Sequence, residues 1–213
     1  MNKIQQIYKE LFKLYGSQGW WPLQELENKK EINITKSGSL HGYHPNDYSY
    51  PKNERQCFEI CIGAILTQNT AWTSVDKALS NLKRMQALSV KGIKKLSVGK
   101  LKEAIKPAGY YNQKYNYIQE FVKFFENLKG EIPSRVELLN VKGIGNETVD
   151  AILLYAFKQP EFVVDAYTRR VFSKLGFFSD KASYQEIKKL FEKNLPKDIV
   201  VYQEYHALIV EHA

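Results

Sequence analysis

Cysteine is almost missing from this 213-residue chain: only Cys57 and Cys61 occur, four apart in an apolar stretch of helical spacing. They read as small buried hydrophobes rather than as a disulfide or half a metal site. No apolar run approaches the roughly 20 residues of a membrane-spanning helix. The opening segment MNKIQQIYKELFKLYG lacks a signal-peptide core, so no membrane partner and a cytoplasmic location are expected. Strand-like alternation of apolar and polar residues is nearly absent too. Acidic residues are the minority, 23 against 31 Lys and Arg, for a formal charge of +8. That imbalance favours a polyanionic partner, because each phosphate neutralised by a basic side chain releases a counterion.

What the chain does have is helical periodicity and material for a core. Hydrophobic residues make up 44% and aromatics 13%, enough for one large domain or two small ones sharing an interior. Ile4, Ile7, Leu11 and Leu14 predict an N-terminal amphipathic helix packed on the body. Further stripes run through Phe58, Cys61, Ile62, Ile65 and Leu66, through Val75, Leu79 and Leu82, and through Ile118, Phe121, Val122, Phe125 and Leu128. Short breaks fall at Pro107-Ala-Gly109, Gly130–Pro133, Gly143-Ile-Gly145, Lys158-Gln-Pro160 and Pro196. The fold class is therefore all-α, with about ten short helices. Residues 24–55 interrupt the rhythm as a polar, turn-rich, Tyr-dotted surface excursion. His41, His44 and Asp47 within it could be drawn as metal ligands, but no carboxylate cluster supports them, and a solvated loop is the preferred reading, so no metal is assigned.

The most informative segment is 132–178. Pro133 opens a short helix carrying Val136, Leu138 and Leu139; Val141-Lys-Gly-Ile-Gly145 then turns tightly, and a helix resumes over Asn146–Phe157. Glycines at 143 and 145 allow unusual backbone angles and close approach of a ligand. The turn opens a helix, whose free N–H groups favour a phosphate oxygen. Ile144 is expected to anchor the turn in the interior and Lys142 to add positive charge. After the apolar run Phe162–Val164 comes Asp165, placed to cap the helix that begins at Ala166. Capping would help keep that carboxylate ionised.

The ordered set of short helix, V-K-G-I-G, helix and V-V-D resembles the helix–hairpin–helix Gly/Pro/Asp DNA glycosylases, of which endonuclease III is the familiar member. The resemblance runs from about Trp20 to His212, outside the Tyr-rich excursion. Ala64-Ile-Leu-Thr-Gln-Asn-Thr-Ala-Trp72 is similar to the family's lesion-facing segment, and Lys106–Lys114 to its glycine–tyrosine–asparagine turn. The resemblance implies a catalytic role for Asp165, stabilising an oxocarbenium-like sugar and orienting water. It implies DNA contacts from Gln68, Asn69, Lys142, Gly143, Ile144, Gly145, Asn146 and Thr148, with Gln68 filling the gap left by an extruded base. Double-stranded DNA with damaged bases is the implied partner.

One departure narrows the chemistry. Bifunctional members carry lysine where this chain has Glu147, and a carboxylate cannot form the Schiff base that leads to strand cleavage. With Trp20-Trp-Pro22, Leu66–Thr70 and Gly109–Lys114, that change is most similar to the MagIII-type 3-methyladenine glycosylases, implying a pocket of Trp20, Trp21, Pro22, Trp72 and Glu147 for alkylated purines. A monofunctional thymine, uracil or oxidised-pyrimidine glycosylase is the alternative, and a non-catalytic DNA-binding module the remote one. The chain has no cysteines for the iron–sulfur cluster that many relatives hold, and Leu208 stands at the position best aligned with the modified lysine of the MagIII type. The expectation is a two-lobed monomer with its cleft between lobes: 56–163 forms the central lobe, and 1–55 with 164–213 the second. No cofactor is obligatory, though hairpin carbonyls could hold a monovalent cation.

Overall fold

A computed structural model describes residues 1–26 and 42–213, and among them the chain forms eleven α-helices and no strand. The first helix, α1 (Lys3–Tyr15), is capped by Asn2 and Gln5 in a reciprocal box and buries Ile4 and Leu11 against α10 (Tyr184–Asn194) and α11 (Ile199–His212). The stripe stops short of its predicted end. Leu14 is 69% exposed, on the last turn before the chain swings away at Gly16, whose φ is 68°.

The centre of the molecule is α2 (Glu54–Leu66). The spacing of its apolar residues predicts one buried stripe, but every residue from Phe58 to Leu66 is buried. A helix enclosed on all sides must be apolar all round or satisfy its polar groups internally. Around it pack α3 (Trp72–Arg84), α6 (Tyr111–Leu128) and α8 (Asn146–Ala151), which continues as a π-helical turn through Ile152–Ala156. Helices α4 (Val90–Lys95) and α5 (Val98–Ile105) close the outer side. The short α7 (Arg135–Leu139) departs from expectation: only Leu138 is buried, with Val136 68% and Leu139 37% exposed. Five residues make little more than one turn, so one side chain reaches the core. The ninth helix, α9 (Ala166–Lys174), packs on α11.

Two buried polar knots fix this arrangement. Lys114 on α6 donates to Leu66 O at 2.8 Å, Thr70 Oγ1 at 2.6 Å and Ala108 O at 2.8 Å, so it ties the end of α2 to the turns on either side. Burial lowers its pKa to about 8. The second knot is Asp150, wholly buried, which meets Arg135 Nε at 2.8 Å, Lys188 Nζ at 2.9 Å and Tyr184 Oη at 2.7 Å. Lys188 also pairs with Glu161, while Arg135 donates to Asn146 Oδ1 at 2.7 Å. Helices α7, α8 and α10 are thereby joined around one carboxylate.

Glu59 of α2 is less well served. It is 1% exposed; Oε1 accepts the Gln24 N–H at 2.5 Å and Oε2 has no partner. Desolvation, helped by the charge of Glu25, pushes its carboxyl up to about 7 against the pull of the Gln24 bond, Arg55 and Lys83. Between its unfolded value of 4.5 and about 7, the unfolded chain ionises Glu59 while the folded chain holds the proton. This contribution therefore weakens folding as pH rises, by about 3 kcal/mol at most above pH 7. Glu59→Gln removes that dependence. It is expected to raise the melting temperature by several degrees at pH 8 and to change it little near pH 4.5, as thermal unfolding at both pH values will measure.

Candidate active site and nucleic-acid interface

Asp165 lies where the apolar run Phe162–Val164 ends and α9 begins. As N-cap it accepts the Thr168 N–H on Oδ1 at 2.7 Å, and its Oδ2 lies 3.4 Å from His206 Nε2 on α11. Asp165 is only 8% exposed. Burial alone would raise its pKa, but the His206 contact and the Thr168 N–H outweigh that, and the carboxyl is held below its ordinary value. The chain thus keeps a fixed negative charge in a largely dry position.

Glu147, on the first turn of α8, faces the same position from an open, solvent-reached side. Desolvation and the negative charge of Asp165 push its carboxyl up to about 7, against the attraction of His206 and Arg169. Two carboxyls that share a site cannot both ionise easily. Asp165 keeps the charge because it has the Thr168 N–H and His206, while burial and then the charge of Asp165 hold Glu147 up near neutrality.

The aromatic residues assemble beside this pair. Trp20 stands edge-on to His206 with centroids 5.6 Å apart, and Trp21 stands edge-on to Trp72 at 5.4 Å. Tyr155, wholly buried on the π-helical turn, lies 5.3 Å from Trp21 and 6.4 Å from Trp20. Trp21 is 5% exposed and forms part of the wall, with Pro22 buried behind it, while Trp20 and Trp72 are half-buried. Gly63 makes room for Trp21, since a Cβ there would lie 3.0 Å from its indole nitrogen. The loop leading into Trp20 is held by the buried Glu204 of α11, which accepts the Ser17 hydroxyl and Gln18 N–H at 2.9 Å and the Gly19 N–H at 3.4 Å.

The hairpin lies on the other side of Glu147. Ile144 is 5% exposed and anchors the turn, and Lys142 is exposed. The two glycines serve different ends. Gly143 has φ +89°, and a Cβ would fall 2.0 Å from the Tyr117 ring. Gly145 has an ordinary φ of −97°, and a Cβ there would meet nothing within 4 Å; its bareness leaves the surface open to an approaching group. Gln68 donates to Gly143 O at 3.0 Å and to Thr148 Oγ1 at 3.2 Å, so the turn after α2 and the hairpin touch. Asn69 takes a left-handed φ of 51° beside it. Thr148 is buried, and Asn146 is engaged by Arg135.

Other sequence readings resolve simply. Both His44 nitrogens face carbonyls, Asp47 O at 2.7 Å and Trp21 O at 3.0 Å, leaving none for a metal; His41 lies outside the described residues. Among the described residues no group of three or more His, Cys, Asp or Glu side chains could hold a metal ion, and no helix is long and apolar enough to cross a membrane. Leu208 is fully buried in the core. Sequence reading missed His206, Tyr155 and Glu204, which lie in apolar runs without a motif of their own.

The family described as the HhH-GPD superfamily of base excision DNA repair proteins matches residues 62–197. A Methanocaldococcus jannaschii protein named as a candidate DNA repair glycosylase is 43% identical over 98% of this chain and 86% of its own length. Endonuclease III of Sulfolobus acidocaldarius is 29% identical over 74% of this chain and 73% of its own. Among solved structures, the H. pylori 3-methyladenine DNA glycosylase MagIII bound to 1,N6-ethenoadenine superposes with a TM-score of 0.73 at 29% identity, covering 99% of this chain and 96% of that one.

The asymmetry between the glycines gives a direct test. Gly143→Ala is expected to destabilise the fold by about 1–3 kcal/mol, and a Tyr117→Ala background to relieve only the steric part, leaving the strain of the positive φ. Gly145→Ala is expected to stay within about 0.5 kcal/mol of the parent. Urea unfolding of the parent, the three single variants and the Gly143→Ala/Tyr117→Ala double variant measures both.

Proposed function

Because the chain belongs to the HhH-GPD superfamily of base excision DNA repair proteins and is a DNA glycosylase, we propose that it releases alkylated purines such as 3-methyladenine without cutting the DNA strand. The observation that carries this reading is Glu147. It stands beside Asp165 in the position from which bifunctional relatives present a lysine, and a carboxyl cannot attack C1′ to form an imine. The chemistry left is hydrolysis. The base leaves with the electrons of the N-glycosidic bond, C1′ gains positive charge, and the Asp165 carboxylate opposes it. Water then adds to C1′ and gives its proton to the carboxylate.

The aromatic walls support the choice of base. A purine alkylated on a ring nitrogen carries positive charge until the bond breaks, and π faces attract it. Trp20 and Trp72, half-buried at the pocket, are assigned to that contact, with Trp21 and Pro22 behind them. We assign phosphate contacts to the hairpin from Lys142 to Asn146 and insertion into the opened duplex to Gln68, with Asn69 beside it.

Chromatography of bases released from methylated duplex DNA is expected to detect 3-methyladenine; release only of thymine or uracil from mismatches would overturn the assignment. Asp165→Asn is expected to slow release roughly 10²–10⁴-fold while duplex binding persists. Borohydride should trap no covalent complex, and efficient trapping would sink the monofunctional reading.

A further inference from the structure

His206 is buried, 5% exposed, and every polar atom around it constrains its protons. Its Nδ1 is 2.8 Å from Tyr155 Oη, and Oη is 3.1 Å from Gln203 O. The single Tyr155 hydroxyl hydrogen can go to Gln203 O or to Nδ1, and Nδ1 is the nearer. When Tyr155 donates to Nδ1, the ring hydrogen sits on Nε2, which faces Asp165 Oδ2 at 3.4 Å. Each ring nitrogen then has a partner: Nδ1 accepts and Nε2–H points at the carboxylate.

We propose that His206 is a positioning residue that, braced by Tyr155, holds Oδ2 of Asp165 and fixes the orientation of the catalytic carboxylate. This rests on the glycosylase reading of Asp165. The opposite oxygen is held by the Thr168 N–H at 2.7 Å, so the carboxylate is gripped from α9 and from α11. Each oxygen retains a lone pair for substrate or water. The edge of Trp20 against the ring links the same histidine to the pocket wall. The charged and titratable groups facing it are Asp165 at the start of α9, Glu147 on α8 with Arg169 beyond it, Tyr155 on the π-helical turn, and the neighbouring Glu204 on α11.

Single-turnover base release from a lesion-bearing duplex tests this with His206→Gln, His206→Phe and Tyr155→Phe. His206→Phe is expected to lower the rate roughly 10- to 100-fold, with duplex affinity within about two-fold of the parent. Partial rescue is expected from His206→Gln, which can still donate to Oδ2, and a smaller loss from Tyr155→Phe. A folded His206→Phe protein with the parent rate, or a His206→Gln protein no faster than His206→Phe, would overturn the assignment. Nitrogen-15 spectra of histidine-labelled parent and Asp165→Asn provide a reading independent of catalysis. The parent ring is expected to carry its hydrogen on Nε2 and its Nε2 resonance to move when the carboxylate is replaced; an unmoved resonance would also overturn it. If no lesion is processed, the glycosylase reading fails while these spectra still judge the contact.

Discussion

Everything around the cleft depends on the wholly buried carboxylate of Asp150 having enough partners. Arg135, Lys188 and Tyr184 all reach it, and they come from α7 and α10, which no stretch of regular backbone bonding would otherwise bring to α8. A buried charge short of partners costs several kcal/mol, whereas one that is fully paired and hydrogen-bonded is tolerated. The requirement fixes where the hairpin ends, because Arg135 also holds Asn146 at the first turn of α8. It reaches the reacting group too: Tyr184 Oη, while donating to Asp150, lies 3.4 Å from the N–H of Val164, the residue before Asp165. The hairpin and the Asp165 carboxylate are thus registered to one another through a buried charge.

Within that frame the two pocket carboxyls differ by surroundings alone. Asp165 is dry, yet receives a backbone N–H and a histidine; Glu147 is raised by desolvation first and by its neighbour's like charge second. That asymmetry fixes one formal charge at the start of α9. In the monofunctional reading proposed for this site, a carboxyl stands where a nucleophilic amine would otherwise be, and the chemistry rests on field and shape.

Much of this was legible in the sequence. Helical periodicity fixed the class, and V-K-G-I-G followed by V-V-D located both the turn and the aspartate, because glycine and a capping acid are demanded by local backbone geometry. Ile144 and the Asp165 cap lie where that logic put them. What was not legible depended on distant pairings. A stripe on α2 could not reveal that the helix is enclosed on all sides, since full burial comes from α3, α6 and α8 together. Leu14 and Val136 carried the correct spacing but sit where the chain turns away or a helix is too short. His206, Tyr155 and Glu204 are single polar residues in apolar runs, and only the packing of α11 against the Trp20 loop and α9 gives them partners. The second glycine shows the opposite limit: Gly145 needs no special backbone angle and a Cβ there would meet nothing, so no contact within the chain requires its lack of a side chain.

The contact between Gln68 and the hairpin has a mechanical meaning. Its amide is bonded at rest to Gly143 O and Thr148 Oγ1, and Lys114 pins the segment that carries it at both shoulders. The loop assigned to the base stack and the turn assigned to the backbone are therefore geared. Neither can shift without loading the other, and entry into a duplex requires the amide to leave two acceptors. If Gln68 enters the duplex as proposed, it must exchange those two acceptors for partners among the bases, so one amide sets both the grip on the hairpin and the readiness of the loop to leave it.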